Sequence, residues 1–205
     1  MSNTPSLLEL SPDTPKIILA SRSAARRKLM KKLGIAFKCH GSNYEENMQA
    51  YANPKKLAVF LAIGKAQNLA EKFQDSIIIG ADTFITIGKT KIGKPATTKE
   101  AEKIIKSMSG KTIHVHSGIA ILKTDHSGKI LKKLTAHVLT KLKIKKMTTK
   151  EIIHLAHQKE ALQISGAFSI EGEGGKMTEK ITGDYNNVIG LPIFKLKKLL
   201  AKIQT

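Results

Sequence analysis

The chain has 205 residues, of which 41% are hydrophobic and 25% are charged, so it is long enough to bury a core and is not composed like a disordered chain. Its single cysteine, Cys39, excludes an intramolecular disulfide and suits a reducing compartment, so we expect a cytoplasmic protein. The net charge of +19 favours polyanionic partners, but the lysines are dispersed and only 4% of residues are aromatic, which disfavours nucleic acid.

The first residues are polar and contain several prolines. Because of this composition, we expect residues 1–15 to be a flexible lead-in. They lack the basic start and apolar stretch of a signal peptide, so a signal peptide is not expected. Apolar runs such as Ile77–Ile79 are far too short to cross a bilayer, so no membrane association is expected. Residues 16–205 are predicted to form a single domain.

The first predicted elements are a short apolar strand, Lys16–Ser21, and a helix over Ser23–Leu33. Ser21 or Ser23 is expected to be the helix N-cap, since serine side chains accept from the free N–H groups of a first turn. A strand that leads into a serine-capped helix presents N–H groups and the positive end of the helix dipole to an anion. This segment therefore predicts an anion site.

The arginines support a phosphate as that anion. Every arginine of the chain lies in this segment, at Arg22, Arg26 and Arg27. Since the chain uses lysine elsewhere, arginine is expected where a planar guanidinium must grip phosphate oxygens bidentately. The alternative is a chance cluster on a solvated helix face.

The remaining elements follow from hydrophobic periodicity and from turn and capping residues. They are a helix over Pro54–Phe73, a buried strand over Asp75–Ala81, a helix over Thr97–Met108, paired strands over Lys111–Lys123 and Lys129–Lys143, a capping-box helix from Thr148 to about Gln158, a strand over Lys176–Ile181 and a final helix from Pro192. This order predicts an α/β fold with a mixed sheet.

Four residues outside the arginine segment are candidates for chemistry. Asp82 is predicted to end a buried strand, where a carboxylate can ligate Mg²⁺ or take a proton from water, although a simple turn residue is the alternative. Lys65 lies on a leucine ridge and either reaches solvent or is directed at a buried anion. Lys94 is presented by the stiff Gly-Lys-Pro loop, and Glu46 belongs to an acidic pair that is either a metal contributor or a solvated loop.

Two further patterns are weaker indications of a functional site. The segment Gly166–Gly175 is rich in glycine, which allows close approach of a ligand to backbone, but no Gly-Lys-Ser/Thr ends it as in a Walker loop. Histidines share a strand face at His114 and His116 and a helix face at His154 and His157. Neither pair has zinc-site spacing, so both are expected to be structural.

Short motifs occur in a fixed order along nearly the whole chain. They are Leu19–Arg27, Gly64–Ala66, Gly80–Thr83, Gly93–Pro95, Ser109–Gly110, Ser117–Gly118, Gly166–Gly172 and Gly183–Pro192. In this order they resemble the Maf family of nucleoside triphosphate pyrophosphatases. The resemblance implies a two-lobed, Maf/ITPase-like α/β fold with an elongated mixed sheet flanked by helices, a central cleft and frequent homodimers.

The resemblance also implies roles for individual residues. Asp82 would activate the attacking water and help to hold a divalent cation, Mg²⁺ or Mn²⁺, together with Glu46. The residues implied to bind the phosphates of the nucleoside triphosphate are Ser21, Ser23, Arg26, Arg27, Lys65 and Lys94. Water would attack the α-phosphorus, so that pyrophosphate leaves and a nucleoside monophosphate remains.

Departures from the commonest family pattern bear on the base. Ala25 stands where an arginine is usual, and Glu171 stands where the dTTP/UTP branch has glutamine, which together indicate the 7-methyl-GTP branch. A carboxylate at Glu171 can accept from the guanine edge, and Phe168 is available to stack on the base. Thr83 instead favours the dTTP/UTP branch, which stays open as the alternative. A non-catalytic nucleic-acid-binding or division-regulating protein is the alternative of another class.

Overall fold

The computed structural model of the chain describes residues 15–204, so the predicted lead-in at residues 1–15 lies outside the described residues except for Pro15. The strands are β1 (Lys16–Ala20), β2 (Lys38–His40), β3 (Ser76–Ile87), β4 (Thr90–Ile92), β5 (Thr112–Thr124), β6 (Ile130–Ile144) and β7 (Thr178–Thr182). In the described residues they form one mixed sheet in the order β2-β1-β3-β5-β6-β7, with β4 paired to β3. The predicted α/β class with a mixed sheet is confirmed.

Helices flank this sheet. They are α1 (Ala24–Lys31), α2 (Pro54–Ala70), α3 (Thr98–Met108), α4 (Thr149–Ala156), α5 (Glu173–Lys176), α6 (Tyr185–Ile189) and α7 (Ile193–Gln204), with one 3₁₀ turn at Ala161–Gln163. Among the residues that the structure describes, no helix is both long and apolar enough to cross a membrane. The chain divides into two compact units, and β3, β5 and β6 each contribute residues to both. The expectation of a single domain over residues 16–205 stays a prediction.

The first unit contains the described residues up to Ala81, together with Gly118–Ala136 and the chain from Ile193. In it, β1 runs parallel to both β2 and β3. Apolar side chains of β1, β3, β5 and α2 share one buried cluster. Two glycines allow this packing, because a Cβ on Gly80 would collide with the carbonyl oxygen of Ala62 and a Cβ on Gly118 with that of Ala58. Helix α2 therefore lies directly on the strands, and this close packing fixes the directions in which its side chains point.

The second unit contains Asp82–Ser117 and His137–Pro192. In it, β4 pairs antiparallel with β3, and β7 pairs antiparallel with β6 across a bulge. Helices α3 and α4 contact each other and share a buried cluster with β5 and β6. This cluster supplies the core of the second unit, since its large members are almost fully buried.

The predicted end of β3 at Asp82 is wrong. The strand continues through Asp82 to Ile87 and then turns at Gly88 and Lys89 into β4. The residues after Asp82, Thr-Phe-Ile-Thr-Ile, are β-branched or aromatic and alternate in burial, so they favour a strand despite the aspartate. Asp82 thus lies within a strand, with its neighbours held by sheet pairing.

Several predicted helix starts and turns are confirmed. Ser23 and Thr97 cap α1 and α3, and Thr148 forms a capping box with Glu151 at the start of α4. The predicted turn between β5 and β6 is held by Asp125, whose carboxylate accepts from the N–H groups of Ser127 and Lys129. The predicted strand over Lys176–Ile181 is displaced, because Lys176 ends the short helix α5 and β7 begins at Thr178.

Candidate functional site

The serines before α1 order its N-terminus. The Ser21 hydroxyl oxygen accepts from the N–H of Ser23 at 3.1 Å, and the Ser23 hydroxyl oxygen accepts from the N–H of Arg26 at 3.3 Å. These bonds use only the oxygens, so each hydroxyl keeps its hydrogen for donation to an anion. The first turn of α1 contains no acidic residue, which leaves the positive end of the helix dipole uncompensated by a carboxylate.

The three arginines differ in their surroundings. Arg26 is half-buried, whereas Arg22 and Arg27 are exposed, and Ala25 is half-buried between them. The Arg22 guanidinium donates to the Asn43 side-chain oxygen at 2.8 Å. Arg22 therefore supports the loop that follows β2, which is a role that the sequence pattern did not predict.

Glu46 and Lys65 are brought together. The Lys65 ammonium lies 2.9 Å from a carboxylate oxygen of Glu46, with side-chain exposures of 12% and 44% respectively. Leu57, Leu61 and Leu69 of the same helical ridge are buried, so the Lys65 stem is packed while its charge is directed at a carboxylate. Since Glu46 is partly exposed, this pair is not the buried anion of the prediction, and phosphate binding by Lys65 stays a prediction.

Asp82 and Thr83 point to opposite faces of β3. Asp82 is 5% exposed, and it shares its face with Phe84 and Thr86 because side chains alternate along a strand. The Thr83 hydroxyl donates to the carbonyl oxygen of Gly190 at 3.1 Å and lies 2.7 Å from the Ser117 hydroxyl. Since a hydroxyl has one hydrogen, Ser117 is the donor to Thr83. Thr83 is thus committed to bonds within the protein.

The remaining predicted residues lie in loops of the second unit. Lys94 is exposed, and the carbonyl oxygen of the preceding Gly93 accepts from the N–H of Gly166 at 3.3 Å. Glu171 is exposed, and its N–H donates to the Ser169 hydroxyl. Phe168 is only 9% exposed and belongs to the core cluster of this unit, so its ring packs inside the protein; stacking on a base stays a prediction.

A row of histidines lies on β5 and β6. His116 is buried, its Nε2 is 3.2 Å from the Thr86 hydroxyl, and its Nδ1 is 3.1 Å from Nε2 of His137. The Phe84 ring stacks on it at 5.6 Å. Burial, and then the neighbouring His137 and His114, lower the pKa of His116 to about 4. His116 is therefore neutral at physiological pH and serves as a hydrogen-bonding core residue.

Sequence reasoning missed Tyr44 and Asn68, which hold the loop that carries Glu46. Burial, and then the Glu46 carboxylate, raise the pKa of the Tyr44 hydroxyl. The side-chain oxygen of Asn68 accepts from the N–H of Asn43 at 2.9 Å. The one signal in the sequence was Gly64, since a glycine inside an apolar helix often marks a close approach by another group.

The fold defines an α/β protein whose first helix begins at a serine cap, and anion binding at this helix terminus stays a prediction. Residues 16–203 match the sequence profile of the Maf family, described as Maf-like protein. The chain is 37% identical over 185 residues to a dTTP/UTP pyrophosphatase of Bacillus cereus (strain AH820), which covers 90% of this chain and 94% of the relative. A dTTP/UTP pyrophosphatase of Methanococcoides burtonii is 37% identical over 189 residues, covering 92% of this chain and 95% of the relative. The chain belongs to the Maf family.

A HAM1 protein from Coxiella burnetii aligns with 92% of this chain and 99% of its own, at 16% identity and a TM-score of 0.49. The family assignment rests on the sequence matches alone.

Proposed function

We propose that this protein is a nucleoside triphosphate pyrophosphatase, which hydrolyses the α–β phosphoanhydride to a nucleoside monophosphate and pyrophosphate. Membership of the Maf family and relatives named dTTP/UTP pyrophosphatase support this activity. The observation that carries it is the pairing of Lys65 on α2 with Glu46 in the loop after β2, which places a cation and a carboxylate side by side. A triphosphate with its metal requires both kinds of group.

The reaction requires positioning and charge neutralisation more than covalent help. In this proposal, water attacks the α-phosphorus, its proton passes to Asp82, and the bond from that phosphorus to the bridging oxygen breaks. Pyrophosphate leaves with the electrons of that bond. Arg26, Lys65 and Lys94 neutralise the phosphates, with Arg27 in support, while the hydroxyls of Ser21 and Ser23 donate to phosphate oxygens.

A divalent cation, Mg²⁺ or Mn²⁺, belongs to this proposal. Within residues 15–204, no group of three or more His, Cys, Asp or Glu side chains could hold a metal ion. Mg²⁺ in nucleotide enzymes is usually bound by one or two carboxylates together with the substrate phosphates. We therefore propose a cation that arrives with the nucleotide, with Glu46 and Asp82 as the carboxylates that would hold it, where it would neutralise phosphate charge.

For the base, we propose dTTP and UTP as the first substrates to test. The relatives named for these nucleotides match 90% or more of the chain. This overall similarity is given more weight than the single side chain of Glu171. The second candidate is 7-methyl-GTP, favoured by the exposed carboxylate of Glu171. A carboxylate only accepts hydrogen bonds, so it suits the donors of guanine and repels the carbonyl oxygens of uracil or thymine.

The experiment is hydrolysis in H₂¹⁸O with Mg²⁺ and a panel of dTTP, UTP, CTP, GTP and 7-methyl-GTP. Equimolar monophosphate and pyrophosphate are expected, with the ¹⁸O label in the monophosphate because attack is at the α-phosphorus. Label in inorganic phosphate, or no product from any nucleotide, would contradict the proposal.

A further inference from the structure

We propose that Tyr44 is a positioning residue: its ring, packed on Gly64 of α2, fixes the loop that places Glu46 beside Lys65. The loop is Gly41–Asn47 (the 41–47 loop), which follows β2 and has no regular secondary structure. The inference rests on the proposed function, in which Glu46 and Lys65 act together on the metal–triphosphate. Tyr44 itself touches neither phosphate nor metal in this account.

The first contact is between the Tyr44 ring and the helix backbone. A Cβ added to Gly64 would collide with three ring carbons of Tyr44, so the ring occupies the space that any side chain at this position would need. Tyr44 also meets Phe60 edge-on, at 6.4 Å between centroids. A glycine inside a helix costs about 1 kcal/mol relative to alanine, and here that cost permits the close approach of the ring.

The second contact is a hydrogen-bond chain that ends on Asn68. The Tyr44 N–H donates to the Ser42 hydroxyl at 3.0 Å, and the Ser42 hydroxyl donates to the Asn68 side-chain oxygen at 3.2 Å. The same oxygen accepts from the N–H of Asn43 at 2.9 Å. One acceptor on α2 thus fixes three consecutive residues of the 41–47 loop.

The two contacts share one face of α2. Phe60, Gly64 and Asn68 are spaced by four residues and therefore form one ridge. Lys65 lies next to Gly64, and Glu46 lies two residues after Tyr44, a span of about 7 Å at most along the chain. Both members of the ion pair are consequently held from the same turns of α2. Without the ring contact, the loop would have to become ordered when substrate binds.

The test is a double-mutant cycle with Gly64→Ala and Tyr44→Ala. Gly64→Ala displaces the ring, and we expect a roughly 10- to 100-fold loss of kcat/KM in a variant that still unfolds cooperatively, since small misplacements near the reacting groups have effects of this size. In the Tyr44→Ala background, Gly64→Ala should cause less than a further twofold loss. Additive losses would overturn the proposal, because they would mean that the two residues act independently.

Matched variants separate positioning from general packing. Tyr51 also packs on Phe60, at 5.3 Å between centroids, but the atoms nearest to a Cβ on Gly64 all belong to Tyr44, so Tyr51→Ala should leave kcat/KM within about twofold. Tyr44→Phe keeps the ring and should retain activity. Asn68→Ala removes the accepting oxygen and should reproduce the loss. Loss of activity in Tyr44→Phe would contradict the proposal.

Amide hydrogen exchange provides a readout that does not depend on activity. In the wild-type protein, the N–H groups of Asn43 and Tyr44 are bonded to side chains of the loop and helix, so Gly64→Ala should accelerate exchange in the 41–47 loop while leaving β3 unchanged. Unchanged exchange in the loop would overturn the inference even in an active enzyme. An inactive wild-type protein whose Gly64→Ala variant exchanges faster would contradict only the proposed function.

Discussion

The ammonium of Lys65 lies 2.9 Å from the carboxylate of Glu46, and only the lysine is sheltered from solvent. A half-exposed ion pair of this kind contributes about 0–1 kcal/mol to stability. If the proposed function is correct, the main contribution of this pair is to activity, since a metal–triphosphate requires both a cation and a carboxylate.

Glu46→Gln should consequently separate activity from stability. We expect pyrophosphate release to fall by roughly 100-fold, while the free energy of unfolding changes by less than about 1 kcal/mol. Steady-state kinetics and urea unfolding measure the two effects. Glu173→Gln is the control, because it breaks a comparable pair with Lys176 at 2.8 Å and should leave activity unchanged. A large loss of stability in Glu46→Gln would show that the pair is structural.

We expect Thr83 to contribute to the stability of the protein. Thr83→Val removes its hydroxyl and leaves the Gly190 carbonyl and the Ser117 hydroxyl without this partner. A loss of about 1–3 kcal/mol is expected for partly buried groups of this kind. Thr83→Ser retains both bonds and should remain within about 1 kcal/mol of the wild type. Equal stability of the valine and serine variants in urea unfolding would contradict this account.

The lowered pKa of His116 predicts a pH dependence of stability. The folded protein keeps His116 neutral down to about pH 4, whereas an unfolded histidine takes up a proton near pH 6.5, so the unfolded state binds more protons between these values. Stability is therefore fully present above about pH 6.5 and decreases as pH falls towards 4, by at most roughly 3 kcal/mol.

His116→Gln isolates this contribution. Glutamine can keep a polar group near Thr86 without titrating, so the variant should lose less stability than the wild type between pH 7 and pH 4.5. Urea unfolding at both pH values gives the difference. Identical losses in the two proteins would refute the assignment to His116.

Glu171→Gln should change the choice of base. The carboxamide can donate as well as accept, so kcat/KM for dTTP and UTP should rise by roughly fivefold or more, while turnover of 7-methyl-GTP should fall. Glu179→Gln on β7 is the charge-matched control and should change neither. An unaltered preference in Glu171→Gln would exclude a role in reading the base.

Local features were predictable from the sequence, and long-range ones were not. The caps at Ser23, Thr97 and Thr148 and the Asp125 turn depend on residues within four positions, so their side-chain chemistry predicts them. The end of β3 was predicted wrongly at Asp82 because aspartate is disfavoured in strands. Pairing with neighbouring strands nevertheless extends β3 beyond this residue.

For the site, the motifs indicated Glu46 and Lys65 but not what holds them. Packing of Tyr44 on Gly64 joins residues twenty positions apart in the chain. Neither residue type signals that contact by itself, because tyrosines in loops and glycines in helices also occur in many proteins where no ring packs on a helix backbone.

The most direct test of the pyrophosphatase proposal compares Asp82→Asn with Asp75→Asn. Each substitution removes one carboxylate, but Asp75 is exposed just before β3, whereas Asp82 is buried inside the strand. In H₂¹⁸O with Mg²⁺ and dTTP or UTP, we expect the wild type and Asp75→Asn to release ¹⁸O-labelled monophosphate and unlabelled pyrophosphate. In a folded Asp82→Asn variant, the rate of this release should fall by at least about 1000-fold. Undiminished pyrophosphate release by Asp82→Asn would contradict the account.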